Sequence, residues 1–550
     1  MGRYKVASDR SRKRKRGSPT FVCTIPLQAT PRKVKTAETR YEVGRLHYNA
    51  VLGECFKRVE NIRRDPRWDK AQSMPKQVAG RSNPERSALY TELRADHGFT
   101  ERSVMSYGSY LRRPCLHGNF IRDHVGAQEA QVLAERAYDA VNNWFVVKRG
   151  RPRFKANGHG LHSLVVKDNN GDIRINDDGS GITGAGVNLA FVLDPYDPVQ
   201  FWAALHVAAG RLLRVGITRT DIRGRPTYRA LLVLDGVALQ RYEAGEETVT
   251  LDPGLGYANV VADTGAYREQ LAGPTGSDPG IDFDRALIAR LSRRLEREHR
   301  AGSPECFDEL GRHVHGRCLW RERSREARTT QARLSEAHRI MAAHRQSLHG
   351  NLQNRILGIG IDVTAEKNSY RSFQRNYGRS VRDRAPGGFI TGLLRKAESA
   401  GGRTGEGDPR LSAPSQSCVC GARKKKPLSL RVHTCDECGI GPIQRDVFSA
   451  FLWRHIDSDG TLDAPKALNE LSRRQDIAVH AASGQFKQRV PLARKRYGHV
   501  GISVPASELL AAQPQNPVPP VDPESTAPVI SETGSAPPRA DDRQLSSAAV

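Results

Sequence analysis

The sequence lacks any long apolar run. Over its 550 residues no stretch approaches the roughly 18 consecutive apolar residues of a membrane-spanning helix, and the N-terminal residues show no secretion signal. We therefore expect a cytoplasmic protein without a membrane partner.

Cysteine is also scarce. Of the nine cysteines, five are scattered without the spacing of a disulfide framework: Cys23, Cys55, Cys115, Cys306 and Cys318. This scatter excludes a small disulfide-stabilised secreted domain and favours a reducing compartment. The other four form two close pairs, Cys418 with Cys420 and Cys435 with Cys438.

Acidic residues are too few to balance the basic ones. The chain has 86 Lys and Arg residues against 60 Asp and Glu residues, which gives a formal net charge of +26. So basic a chain is expected to bind a polyanion, and nucleic acid is the default partner. An acidic membrane surface is the rival, which the lack of apolar segments disfavours. The length allows about three or four domains.

The two cysteine pairs are typical of a zinc ribbon. A glycine follows each pair, Gly421 and Gly439, so two tight turns can present four thiolates to one tetrahedral ion in a structural site. The first pair has a single intervening residue, where two is the commoner spacing. His433 lies near enough in sequence to be an alternative ligand.

Three acidic residues stand at predicted strand or helix junctions. Asp252 ends a predicted strand before Pro253, Glu366 follows the apolar run 355–363, which we interpret as a strand, and Asp446 begins an apolar helix beside the second cysteine pair. A carboxylate fixed beside a rigid element can bind Mg²⁺, although a lone Asp at a helix start more often caps the helix. Asp362 competes with Glu366 for the middle position, because both follow the same apolar run.

Hydrophobic periodicity divides the chain into an α+β multidomain protein. We expect a disordered basic arm at 1–18, an antiparallel β-barrel from 19–36 and 148–245, and a helical recognition domain at 37–147 that interrupts the barrel. Two long basic helices, at 285–300 and 325–352, are expected to form a helical hairpin. A Pro/Ala/Ser-rich tail at 505–550 is expected to be disordered.

Two basic segments are candidates for contact with nucleic acid. One surrounds Phe154, which we expect to be a core residue, and the other lies between the cysteine pairs, where a merely solvated loop is the alternative. The candidate binding residues are Arg151, Arg153, Lys155, Lys424, Lys425 and Lys426.

The order of the acidic motifs resembles a known family. Asp-Pro-Gly-Leu-Gly is followed by Thr-Ala-Glu-Lys-Asn-Ser-Tyr, then by the cysteine pairs and Gln-Arg-Asp-Val-Phe-Ser-Ala. This order is similar to the RuvC-like half of TnpB proteins and of compact type V CRISPR effectors. The likeness is specific over about 246–455, and the long N-terminal part favours the CRISPR effectors. The Leu and Pro that flank Asp252 and the Cys-x-Cys pair depart from the common pattern.

The resemblance implies an RNA-guided DNA endonuclease, a metal-dependent phosphodiester hydrolase of the prokaryotic cytoplasm that joins the nucleoid when bound to DNA. Its RNase H-like (RuvC) domain would span 246–411 and 440–504, with a zinc ribbon inserted at 412–439. Guide RNA and target DNA would be the partners and one structural Zn²⁺ would fill the ribbon. Two Mg²⁺ ions would be held by Asp252, which bridges both, and by Glu366 and Asp446. The family's position before Lys-Asn-Ser-Tyr favours Glu366 over Asp362.

Three other functions stay open at this point. The chain could be a TnpB-type, transposon-associated guided nuclease, or a guided DNA binder with weak or no cleavage. It could also be a transposition factor that binds RNA without cutting. The sequence leaves the oligomeric state open.

Overall fold

Helices and β-sheets combine in one α+β structure, as predicted. The structure, a computed structural model, describes residues 19–78, 81–147, 150–157, 160–184, 187–240, 242–272, 279–314, 323–427, 429–457, 459–474, 477 and 489–492. The predicted arm at 1–18 and tail at 505–550 lie outside these ranges. None of the described helices has the length and apolar content needed to cross a bilayer.

The N-terminal part is a strand followed by a group of helices. Strand β1 (Thr20–Gln28) leads to the long helix α1 (Pro31–Arg64), which starts before the expected boundary at 37 because the Thr30 side chain caps it and Pro31 fits its first turn. The next elements are α2 (Pro66–Ser73), β2 (Gln77–Val78), β3 (Arg81–Ser82), α3 (Pro84–Asp96), α4 (Glu101–Tyr110), α5 (Leu116–His124) and α6 (Ala127–Val147).

The next sheet is a half-barrel rather than the predicted closed barrel. Its elements are β4 (Ser163–Val165), β5 (Arg174–Ile175), β6 (Gly181–Gly184), β7 (Val187–Phe191), α7 (Pro198–Ala208), β8 (Leu212–Ile222) and β9 (Arg225–Asp235). The seven antiparallel strands run in the order β4-β8-β9-β1-β7-β6-β5. The edge strands β4 and β5 have three and two residues, too few to pair along their length and close the barrel.

A second, five-stranded sheet holds the acidic motifs. Its strands are β10 (Thr248–Pro253), β11 (Tyr257–Val261), β12 (Ala266–Gln270), β13 (Asp362–Glu366) and β14 (Thr404–Gly407), in the order β12-β11-β10-β13-β14. Strand β11 is antiparallel to both of its neighbours, β10 and β12, whereas β13 and β14 continue the sheet in parallel with β10. Helices cover both faces, so the central strands are nearly continuous runs of buried residues.

The predicted helical hairpin separates β12 from β13. Helix α8 (Pro279–Gly302) packs on α9 (Arg325–Leu357), and α9 continues where a strand was predicted from residue 355. That part of the strand prediction is wrong, because Ile356 and Leu357 bury equally well from the end of a helix and a short apolar run does not separate the two states. The strand itself begins at Asp362.

The remaining elements bring a helix onto the five-stranded sheet. They are α10 (Tyr370–Arg384), α11 (Pro386–Ser399), α12 (Pro409–Ser412), β15 (Val432–His433), β16 (Ile443–Gln444), α13 (Arg445–Leu452) and α14 (Ala464–Arg473). A short 3₁₀ turn, Trp453–His455, extends α13. The Thr250 hydroxyl of β10 donates to the main-chain oxygen of Ala450 at 2.8 Å, which fixes α13 against the sheet.

Gly407 of β14 leaves space for the Trp453 ring. A Cβ atom at 407 would lie 2.1 Å from Cζ3 of Trp453, whereas a Cβ at Gly405 on the same strand would meet no atom closer than 3.6 Å. We expect Gly407→Ala to destabilise the protein by about 1–3 kcal/mol through overpacking. Gly405→Ala is the matched control and should change stability by less than about 1 kcal/mol. Thermal unfolding measures both, and equal effects would contradict the packing described.

Candidate functional site

The five-stranded sheet brings Asp252 and Glu366 to the same edge. Asp252 lies near the end of β10, and Glu366 is the last residue of β13. The two strands are parallel, with Leu251 opposite Ala365, so their carboxyl ends coincide. Each residue is only 9% exposed. Two carboxylates that are far apart in the sequence are therefore buried next to each other.

Asp446 reaches the same place from α13. It occupies the first turn of this helix, but the cap is Gln444, whose side-chain oxygen accepts a hydrogen bond from the Val447 N–H at 2.7 Å. The Asp446 carboxylate instead accepts hydrogen bonds from Arg445 Nη2 at 2.9 Å and Arg431 Nη1 at 3.4 Å. Because Gln444 caps the helix, the Asp446 carboxylate is available for another role.

All three carboxylates line one open cleft of about 490 Å³. The cleft also contains three arginines and three aromatic residues: Arg268, Arg431, Arg445, Tyr257, Phe373 and Tyr377. Guanidinium groups suit phosphate oxygens, and aromatic faces suit unpaired bases. The lining therefore combines a carboxylate cluster with groups that fit a nucleic-acid strand.

Asp362 is not part of this cleft. It begins β13, at the opposite end of the strand from Glu366, and its carboxylate accepts hydrogen bonds from the main-chain N–H and Nε of Arg403, both at 2.8 Å. These bonds lower the pKa of Asp362. The structure thus places Glu366, and not Asp362, beside Asp252.

Burial and the neighbouring charges disfavour the ionised forms of two of the acids. Burial and then the neighbouring carboxylates Glu366 and Asp446 raise the pKa of Asp252 well above its usual value. The pKa of Glu366 is raised as well, first by burial. Ionised carboxylates this close repel each other, and oxygen ligands of this kind are those that Mg²⁺ prefers. The chemistry of these donors therefore suits divalent cations, although of the described residues only four cysteines have ligand atoms close enough together to hold one ion as they stand.

Sequence reasoning missed two polar residues near the carboxylates, Asn259 and Tyr370. Asn259, opposite Asp252 in the sheet, donates from Nδ2 to the Asp252 main-chain oxygen at 3.0 Å. The Tyr370 hydroxyl is buried, and burial followed by the charges of Asp252 and Glu366 raises its pKa. Tyr370 belongs to the quoted acidic motif, so the motif was the signal. Nothing in the sequence singles out Asn259, because the strand that contains it is otherwise apolar.

The four paired cysteines meet in a second cluster. Their sulfur atoms all lie within 4.8 Å of one another, with Cys418 to Cys438 at 3.6 Å and Cys420 to Cys435 at 3.7 Å. A tetrahedron with Zn–S bonds of about 2.3 Å has edges of about 3.8 Å. The four cysteines could therefore hold a zinc ion.

His433, the alternative ligand, is not part of the sulfur cluster. Its ring stacks on Phe448 at 4.4 Å, and its Nδ1 contacts the Lys426 ammonium group. The four cysteines, without His433, are therefore the candidate ligand set.

The three lysines between the cysteine pairs differ in their surroundings. Lys424 forms an ion pair of 2.8 Å with Asp436, and Lys426 is half-buried beside His433. Lys425 is exposed. Lys425 thus offers its charge to solvent, whereas Lys426 is turned toward the protein.

The basic segment around Phe154 lies over the helices. Arg151 is 4.6 Å from the Phe56 ring centroid, Lys155 is 5.0 Å from that of Tyr48, and Arg153 is exposed. Phe154 is 58% exposed, so the predicted core role is wrong. Its ring touches Phe56 at the surface instead, because the extended segment runs across α1 rather than through the core.

Comparisons with known proteins add little to the geometry. No family model and no curated protein matches the chain. A chain of a cryo-EM structure of a Cas12f1–sgRNA–target DNA complex is 11% identical with a TM-score of 0.37, and the match covers 79% of this chain and 98% of that one. For a CRISPR–Cas12f ternary complex the values are 10%, 0.26, 78% and 98%. At these identities and TM-scores, neither match shows a shared function.

Replacing a cysteine of the cluster tests the zinc site. We expect about one zinc per chain, and Cys435→Ser should lower both the zinc content and the melting temperature, because structural zinc stabilises the fold directly. Cys115→Ser is the control, since Cys115 is exposed and lies outside the cluster. Elemental analysis and thermal unfolding measure both effects. A parental protein without zinc, or a variant that keeps it, would contradict the assignment.

Proposed function

We propose that the chain is an RNA-guided DNA endonuclease of the type V CRISPR effector kind. The main support for this proposal is that three carboxylates from widely separated parts of the sequence line one cleft, together with arginine and aromatic side chains. The order of the motifs around these carboxylates and the net charge of +26 support guide RNA and target DNA as partners.

In this proposal, residues 246–411 and 440–504 form the RNase H-like (RuvC) domain, and residues 412–439 form the inserted zinc ribbon. In support, the described five-stranded sheet carries Asp252 and Glu366, and the β15–β16 hairpin leads directly into α13. The half-barrel and the N-terminal helices would hold the RNA–DNA duplex by contacts to its sugar–phosphate backbone.

Asp252, Glu366 and Asp446 would hold two Mg²⁺ ions. Bound in this cleft, the ions would activate a water and stabilise the leaving 3′ oxygen of a phosphodiester. The charges of both other carboxylates act on Asp252, so the three side chains would hold the ions together.

Other side chains of the cleft would fix the position of the carboxylates and bind the phosphate of the substrate. Arg445 and Arg431 hold the Asp446 carboxylate through the hydrogen bonds described above. The Asn368 side chain donates to the Pro253 main-chain oxygen at 2.8 Å and so fixes the end of β10. Arg268, 4.2 Å from the centroid of the Tyr257 ring, presents a cation beside an aromatic face. A phosphate at Arg268 would lie in the same cleft as the carboxylates.

Sequencing the RNA that copurifies with the protein tests the guided function. We expect one class of RNA whose variable segment directs Mg²⁺-dependent cutting of a matching DNA. A scrambled DNA of the same composition is the control. A heterogeneous RNA pool together with no cutting of matched DNA would contradict the proposal.

Isosteric substitutions on one strand test the carboxylate site. Glu366→Gln should slow cleavage roughly 10²–10³-fold, the usual loss when one group that stabilises the transition state is removed, while RNA and DNA binding stay near parental. Asp362→Asn is the matched control, because it loses only an ion pair with an exposed arginine and should stay within about fivefold of the parental rate. Single-turnover cleavage measures both. The reverse ranking would mean that the middle ligand is Asp362.

A further inference from the structure

One face of α13 carries more than Asp446. Ser449 and Trp453 follow Asp446 at positions i+3 and i+7, along the helix and the 3₁₀ turn that extends it. Residues with this spacing share a helix face. The main-chain oxygen of Ala450, on the same side, accepts the hydrogen bond from Thr250 of β10. The face that bears Asp446 therefore rests against the ends of the strands that bear the other two carboxylates.

Ser449 lies beside Asp252. The serine is fully buried, and its hydroxyl makes no hydrogen bond of good geometry within the described structure. Thr250, which bonds the adjoining Ala450, lies two residues before Asp252 in β10, so both side chains are on the face of the strand that α13 covers and Ser449 is held next to Asp252. A buried donor without a fully formed bond is costly, so its position beside a carboxylate requires an explanation.

Trp453 lies beside Glu366, as Ser449 lies beside Asp252. Its ring packs over Gly407 of β14, which has no side chain to exclude it, and the residue is 5% exposed. The indole Nε1 is buried and lacks a well-formed hydrogen bond within the described structure. Gly407 is the partner of Glu366 in the sheet, so the ring that packs over Gly407 lies next to the Glu366 carboxylate.

We propose that Ser449 and Trp453 are positioning residues that orient Asp252 and Glu366 as cation ligands. Once cations are bound, the Ser449 hydroxyl would donate to Asp252 and the Trp453 N–H would donate to Glu366. Each donor thereby sets the direction of the other oxygen of the same carboxylate. This inference rests on the proposed function, because it assumes that the carboxylates bind divalent cations.

The chemistry of the two donors suits this role. A serine hydroxyl and an indole N–H are neutral, so they orient a carboxylate without a positive charge that would compete with a metal ion. The arginine ion pairs at the cleft involve Asp446, the most accessible of the three acids. Hydrogen bonds from such outer groups fix the orientation of metal-binding side chains.

Cation binding by the full chain tests the inference. Calorimetry measures the affinity of the protein for Mn²⁺. Only the binding that is lost in Asp252→Asn is counted, because that binding belongs to the carboxylate site. Ser449→Ala and Trp453→Phe should each weaken it by about tenfold or more, as is usual for the loss of an outer hydrogen bond. Ser399→Ala and Trp202→Phe are matched controls, because they remove a serine hydroxyl bonded to Arg395 O and an indole N–H bonded to Val237 O elsewhere in the fold.

The possible outcomes separate the inference from the proposed function. If Asp252→Asn binds as much Mn²⁺ as the parent, the carboxylate metal site fails and the inference fails with it. If Asp252→Asn loses binding but Ser449→Ala and Trp453→Phe keep parental affinity, the inference alone is overturned. Equal weakening in the two control variants would also overturn it, because the effect would then be general. Loss confined to the two α13 variants supports it.

Discussion

Mutual repulsion of buried carboxylates is the constraint on which the site depends. Asp252 and Glu366 are buried side by side, and Asp446 lines the same cleft. The pKa values of the first two are raised in the folded protein, so these groups favour folding below about pH 4 and oppose it increasingly as the pH rises. At neutral pH the rest of the fold must hold them together, unless cations balance their charge.

Rigid elements on three sides provide that restraint. Parallel pairing fixes β10 and β13 relative to each other, and the Thr250 hydrogen bond fixes α13 on β10. The β15–β16 hairpin and the cysteine cluster immediately precede α13, so an ion held by those cysteines would stiffen the approach to Asp446. A cysteine cluster that could hold zinc and a cluster of mutually repelling carboxylates are thus neighbours in both sequence and structure.

Local patterns predicted the parts of this arrangement that depend on local chemistry. The cysteine pairs with their glycines, the long amphipathic helices and the acidic motif before Tyr370 are all visible in the sequence. The end of α9 could not be predicted, because an apolar run such as Ile356–Ile359 is buried as well in a helix as in a strand. Barrel closure depends on the lengths of the edge strands, and the contacts of Ser449 and Trp453 exist only once α13 lies on the sheet. These features come from tertiary packing.

The melting temperature as a function of Mg²⁺ concentration tests the central claim most directly, in RNA-free protein with Asp362→Asn as the control. Ions that bind the folded state alone stabilise it, by about 2.7 kcal/mol at a hundredfold excess over Kd. We expect Mg²⁺ to raise the melting temperature of the parent and of Asp362→Asn. Glu366→Gln, with one repelling charge fewer, should melt higher than the parent without Mg²⁺ and respond to it only weakly. A parental melting temperature that is independent of Mg²⁺, with Glu366→Gln no more stable than the parent, would contradict the account.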